Sequence, residues 1–203
     1  MRLRPDQWAL VLVGIVLAAA VIWQAGKPRG LQFRVDGPVA FVNGTTTGRD
    51  QGAVRALLRE NPQVRELVFE QMPGTRDATS NYRLARTIRE AGLDTHLRPT
   101  SRIASGAVDL FLAGAKRSVA CGAMIGVHSW GGTGYDAQDV RFDPHRPMSR
   151  DFLADMGVDP DFYDFRTRAA GSDAIHWMSD AEIERWGVAT EPRACDQSSS
   201  SSE

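Results

Sequence analysis

IASGAVDLFLAG (residues 103–114) and GVHSWGG (residues 126–132) decide how this 203-residue chain is read. The first opens with a serine between small residues and continues as an apolar helix. The second is the end of an apolar strand that closes on a histidine and runs out into two glycines. Serine at a helix start and histidine at the next strand end are the residue types of a nucleophile and its base, on adjoining elements.

Outward from this pair, strand and helix signals alternate. Residues 31–35 alternate apolar and polar side chains as a half-buried strand does, and 39–42 form a second strand after the Asp36-Gly37-Pro38 break. Val54, Leu57 and Leu58 give residues 51–60 one apolar helical face, ended by Asn61-Pro62. Residues 64–70 return to strand, 72–77 read as a tight turn, and 79–91 as an amphipathic helix with Gly92 in the C′ position. A short strand at 95–98, the helix at 105–114, a strand edge at 117–120 and a buried strand at 123–128 complete the alternation. This order predicts an α/β layer with mostly parallel strands. From 132 to 147 periodicity is lost, which predicts a long loop or lid. Helical patterns follow at 149–156 and 160–170. Ser179 and Glu182 form a capping box that opens a last helix, ended by Gly187, with a final strand at 188–190. The polar tail at 198–203 is low-complexity and is expected to be disordered.

Twenty-four basic against 25 acidic residues give a net charge of −1, which speaks against a nucleic-acid partner. Cys121 and Cys195 have no second cysteine or histidine at metal-ligand spacing, so neither a metal nor a cofactor is expected. In an oxidising compartment the two thiols have the option of a disulfide. Residues 8–25, WALVLVGIVLAAAVIWQA, are uncharged and tryptophan-flanked. At ~1.5 Å per residue they span ~27 Å, which suits a bilayer core. The alternative is a cleaved signal peptide, with 18–20 as its small-residue site. The run continues through Val21-Ile22-Trp23, which favours an uncleaved anchor. The expected organisation is a head at 1–7, an anchor at 8–25, a linker and first strand at 26–37, one domain at 38–192 and a tail at 193–203. Basic residues flank the anchor on both sides, and the short head favours an extracytoplasmic domain.

Three features carry chemistry. Pro73-Gly74-Thr75 follows a strand and precedes a helix, where successive N–H groups suit a developing oxyanion; the alternative is an ordinary turn. Ser105 stands at a helix N-terminus between Ala104 and Gly106; the alternative is an N-cap serine. His128 is reachable at its strand end; the alternative is a buried, hydrogen-bonded ring. Asp109, one helical turn after Ser105 in an apolar run, reads as half of a structural ion pair or as a cleft residue, and the ion pair is the default. The Gly-x-Ser-x-Gly elbow is absent, because Ile103 and Ala107 flank Ser105 at two positions.

The order of these motifs resembles the Clp-protease/crotonase superfamily, closest to its small membrane-anchored or periplasmic Clp-protease-like members. The resemblance covers roughly residues 38–190. It rests on Pro73-Gly74, Ala104-Ser105-Gly106, Ala113-Gly114, Lys116-Arg117, Ile125-Gly126-Val127-His128 and, near the end, Trp177-Met178-Ser179 with Glu182. It implies a spiral of β-β-α units and a serine peptidase. Ser105 would be the nucleophile, His128 the base, and Gly74, Thr75 and Gly106 the oxyanion hole. A peptide or protein would be the substrate, and family members often form rings or trimers. Two positions depart from the pattern: Thr75 replaces the second glycine of the turn, and Ile175 stands where the family's catalytic aspartate belongs. Asp173 or His176 would have to substitute, with Asp173 the nominated acid. A silent domain of the same fold that binds peptides at the membrane is the competing expectation.

Overall fold

A computed structural model of the chain describes residues 30–132, 135–139 and 143–193. The expected anchor at 8–25, the head before it and the tail from 194 onward lie outside the described residues. Among the described residues no helix is long and apolar enough to cross a membrane.

In chain order the elements are β1 (Gln32–Asp36), β2 (Val39–Asn43), β3 (Thr45–Thr46), a 3-10 turn (Gly48–Gly52), α1 (Ala53–Glu60), β4 (Glu66–Met72), β5 (Gly74–Thr75), α2 (Ala78–Glu90) and β6 (Asp94–Ala104). Then come α3 (Gly106–Leu112), β7 (Arg117–Val119), β8 (Met124–Val127), β9 (Gly131–Gly132), β10 (Tyr135–Asp136), α4 (Arg146–Asp155), α5 (Phe162–Ala169), β11 (His176–Trp177) and α6 (Asp180–Arg185). The main sheet runs β1-β2-β4-β6-β8-β11, with β7 also paired to β6. β2, β4, β6, β7 and β8 are parallel, while β1 and β11 are antiparallel to their neighbours. The returns from β2 to β4, β4 to β6, β6 to β7 and β8 to β11 pass through helices, so the architecture is a mixed α/β fold of mostly parallel strands, as the alternation predicted.

Alternating inner-face residues of the sheet, Leu67, Phe69, Leu97, Ile103, Ile125 and Val127, are buried against Leu84 and Ile88 of α2 and Leu110 and Phe111 of α3. Phe69 and Phe111 meet edge to face with centroids 6.4 Å apart. The sequence reading ends the strand at Arg98. Instead β6 continues to Ala104. The reason is a bulge in β6 itself: between the Phe69–Leu97 and Gln71–Arg102 pairs it carries residues 98–101 against the single Glu70, so the ladder needs no amide from Pro99. Ser101 Oγ closes the gap, donating to Phe69 O at 2.5 Å and accepting from Arg98 N at 2.9 Å. The expected strand at 188–190 does not form. That segment is held instead by Arg117, whose carbonyl accepts from Thr190 N at 2.9 Å.

Arg117 itself is 3% exposed and has no carboxylate partner among the described residues. Its guanidinium donates to Leu112 O at 3.4 Å, Met156 O at 3.3 Å, Gly187 O at 3.1 Å and Val188 O at 2.9 Å. These carbonyls lie at or just beyond the C-terminal ends of α3, α4 and α6, where negative partial charge collects. Burial, with Arg89 nearby, lowers the Arg117 pKa to about 10, so the group stays charged at neutral pH. Cys121, in the turn between β7 and β8, is disulfide-bonded. The chain's other cysteine, Cys195, lies outside the described residues.

Candidate active site

β6 and β8 lie in parallel register with Ala104 opposite Gly126, and Ser105 donates its backbone N–H to Gly126 O at 3.0 Å. The next residue opens α3, so Ser105 occupies the junction where strand becomes helix. Its backbone is at φ 56°, ψ −132°, the single positive φ of a non-glycine residue among the described residues. A side chain held in so sparsely populated a region costs ~1–3 kcal/mol, and such strain concentrates at functional sites. Ser105 makes no capping bond to α3. The N-cap alternative therefore fails, and the hydroxyl is left facing a cavity of about 470 Å³. Strand-to-helix junctions hold nucleophilic serines clear of their own helix in other folds too. Here the glycine motif that usually announces one is missing. A glycine at this position would relieve the strain, so Ser105→Gly should be more stable than Ser105→Ala by about 1 kcal/mol. Denaturant titration of the two variants checks this.

His128 follows the last residue of β8. Ser105 is level with Val127, so about 4.8 Å of strand spacing and one residue of chain separate the two backbones. Both side chains line the same cavity, without a hydrogen bond between them among the described residues. Catalytic hydrogen bonds are commonly loose before substrate binds. Burial pushes the His128 imidazole below its ordinary pKa; the Ser129 backbone opposes this and the Arg166 charge reinforces it. His128 Nδ1 is buried with no hydrogen-bond partner among the described residues.

The nominated acid does not stand behind that nitrogen. Ala170 O accepts from Ser129 N at 2.8 Å, and His176 pairs with Val127, so the chain is tied to the end of β8 at both points. Residues 171–175 between them bulge outward, leaving Asp173 exposed and outside the cavity. His176 is engaged elsewhere, its Nε2 3.0 Å from Glu182 Oε1. Asp173→Asn is therefore expected to leave any reactivity of Ser105 within about twofold, measured as probe labelling rate.

Asp109 combines both expected roles. Its carboxylate accepts from Arg166 Nη1 at 2.6 Å, and both residues line the cavity. Burial raises the Asp109 pKa against the pull of Arg166. Burial also disfavours the Arg166 charge, but Asp109 and Tyr82 outweigh it and hold the guanidinium protonated.

Gly74, at φ 140°, passes so close to Ser105 that an added Cβ would lie 2.9 Å from the serine Cβ. Thr75 needs no left-handed backbone, which is why threonine stands there without strain. Its Oγ1 donates to Asp77 O at 3.1 Å, and its methyl group fills the space over Gly106, where an added Cβ would come within 2.3 Å of Thr75 Cγ2. Gly106 opens α3, so its N–H has no intrahelical acceptor and faces the same wall as Ser105. Gly106→Ala is expected to destabilise the fold by about 1–3 kcal/mol through this overlap, and Thr75→Ser to rescue part of it. Thermal melts of the single and double variants check the coupling.

Arg76, Tyr82, Trp130, His145 and Arg166 also line the cavity. None was singled out from the sequence. Trp130 and His145 pack ring against ring at 4.3 Å, and Arg166 arrives from α5, 61 positions after Ser105 (166 − 105). No local pattern marks such convergence.

No protein-family model and no curated protein sequence matches the chain. Solved structures do. The 1510-N membrane protease specific for a stomatin homolog, from Pyrococcus horikoshii, superposes with a TM-score of 0.51 at 15% identity, covering 77% of this chain and 72% of that one. A mutant of the 1510-N protease in complex with a substrate peptide gives 0.50 at 13% identity, over 79% and 77%. An enoyl-CoA hydratase from Mycobacterium avium subsp. paratuberculosis K-10 gives 0.52 at 13% identity, over 82% and 71%. At these identities the likeness is one of fold. The chain shares the mixed α/β fold of the 1510-N protease and of the enoyl-CoA hydratase, in keeping with the resemblance to the Clp-protease/crotonase superfamily.

Proposed function

We propose that this chain is a serine hydrolase acting on peptides. The observation that carries the reading is Ser105: a strained, uncapped serine facing a cavity whose wall also holds His128. In the proposed reaction Ser105 Oγ attacks the scissile carbonyl and His128 Nε2 takes its proton. The backbone N–H groups at Gly74, Thr75 and Gly106 hold the oxyanion, and the leaving amine receives the proton back from His128. Among the described residues no acid stands behind the imidazole, which leaves packing and the Ser129 backbone to orient His128. The pair is then slower than a complete triad. The neighbouring 1510-N protease was solved with a substrate peptide, which supports a peptide as substrate class.

A fluorophosphonate probe on the purified full chain tests the reading: the wild type is labelled and Ser105→Ala is not. Absence of Ser105-dependent labelling in folded protein would falsify it. The second reading is a silent peptide-binding domain, favoured by the unpartnered His128 Nδ1 and the Arg166 charge beside the ring. Peptide binding without labelling is its signature.

The same proposal places residues 8–25 in a membrane, with the domain on the extracytoplasmic side. The disulfide at Cys121 supports an oxidising compartment. In intact cells Cys121 is expected to resist a thiol alkylating reagent until a reductant is added. Peptide mass spectrometry reads the difference, and alkylation without reductant would retire this placement.

A further inference from the structure

We propose that the cavity selects a substrate carrying a carboxylate beside the scissile bond, with Arg76 as the recognising group; the inference rests on the hydrolase reading of the same site. The cavity wall is rich in donors and poor in free acceptors. Its two carboxylates are both committed. Asp77 accepts from Ser80 N at 3.0 Å and Ser80 Oγ at 2.7 Å, capping α2, and these bonds hold its pKa down. Asp109 is committed to Arg166, which also donates to Tyr82 OH at 3.2 Å.

Arg76 differs from both. It lines the cavity, yet its guanidinium has no ion-pair or hydrogen-bond partner among the described residues. Its backbone is fixed, because Arg76 N donates to Thr46 O at 3.0 Å and so clamps β5. The residue directly follows Thr75, where the oxyanion is held. A substrate carbonyl placed there puts its neighbouring side chain or terminus within reach of Arg76. Planar guanidinium donors match a carboxylate in pairs, and Arg76 is an exposed residue of the cavity wall, so the pairing is open to screening by salt. An anion there also offsets the Arg166 charge that opposes protonation of His128. A carboxylate can come from an acidic side chain or from a chain terminus, and the recognition chemistry is shared.

Calorimetry on the full-length Ser105→Ala chain, purified in detergent, separates these cases. The ligands are acetyl-Ala-Glu-Ala-amide, its Gln isostere, and the Gln peptide as the free acid. At least one carboxylate peptide should bind about 10-fold more tightly than the Gln amide, and the preference should shrink as salt rises. Preference for the Glu peptide assigns a side chain, and preference for the free acid assigns a terminus. Arg76→Gln should abolish the preference and Arg76→Lys retain most of it. Equal binding of all three peptides, no measurable binding, or a preference that survives Arg76→Gln overturns the inference. Labelling by a probe without a carboxylate is independent of Arg76 recognition. Labelled Ser105 without carboxylate preference therefore retires this inference alone. Carboxylate preference without labelling retires the hydrolase reading alone.

Discussion

His128→Gln should slow fluorophosphonate labelling of Ser105 by at least about 10²-fold while leaving the fold intact, because glutamine keeps the bulk and loses the base. The expected pH profile follows from the direction of the His128 shift. Burial first, and the Arg166 charge third, hold the ring below the ordinary imidazole pKa, with the Ser129 backbone opposing. The neutral, proton-accepting form therefore persists into mildly acidic solution, and labelling falls only below the usual histidine range. Stability carries the same sign. The unfolded chain takes up this proton at the ordinary value and the folded chain at a lower one, so stability declines as pH drops between the two. Arg166→Met should move the labelling profile upward in pH by removing the opposing charge. That variant also strands Asp109, so Asp109→Asn combined with Arg166→Met is the informative comparison. A labelling profile of His128→Gln indistinguishable from wild type would remove His128 from the mechanism.

Arg117→Ala should be the most damaging single substitution away from the cavity, lowering stability by about 3 kcal/mol or more. Four carbonyls from three separate chain segments converge on this one guanidinium. Removing it takes this donor from the carbonyls of Leu112, Gly187 and Val188 in a buried site, while Met156 O keeps Arg89 Nη2 at 2.5 Å. Arg117→Lys should recover only part of the loss, since a single ammonium has fewer donors and no planar fork. At this chain length the alanine variant corresponds to a fall in melting temperature of about 10 °C, read by circular dichroism. A change below about 1 kcal/mol would mean that water replaces the guanidinium without penalty. Both expectations concern residues that bring distant segments to one point: His128 at the cavity and Arg117 at the helix ends.

Much of the fold was legible because its signals are local. Val54 and Leu57 on one helical face, the alternation in β1, and the Ser179–Glu182 capping box each follow from residues a few positions apart, and each element formed where expected. The sequence reading ends this strand at Arg98, whereas β6 runs on to Ala104 through a bulge that only its pairing with β4 defines. The segment at 188–190 has strand-like residues, but Arg117 holds it without a regular ladder.

The candidate site divides along the same line. Ser105, His128 and the Gly74-Thr75 turn could be nominated because each closes an element, and hydrophobic patterning marks where elements close. Apart from the strand at 188–190 and the short β3, β5, β9, β10 and β11, the sequence by itself determined the strands and helices and their order, and therefore which polar residues stand at strand ends. Only the tertiary structure decided that Asp173 bulges away while Arg166 and Asp109 meet beneath the cavity, that Thr75 fits because Gly106 yields it space, and that Ser105 is strained rather than capping. The physical reason is that hydrophobic period and capping act over a few residues. Convergence across 61 positions depends on the register of β6 against β8 and on how α5 returns to that edge, and no short pattern encodes either.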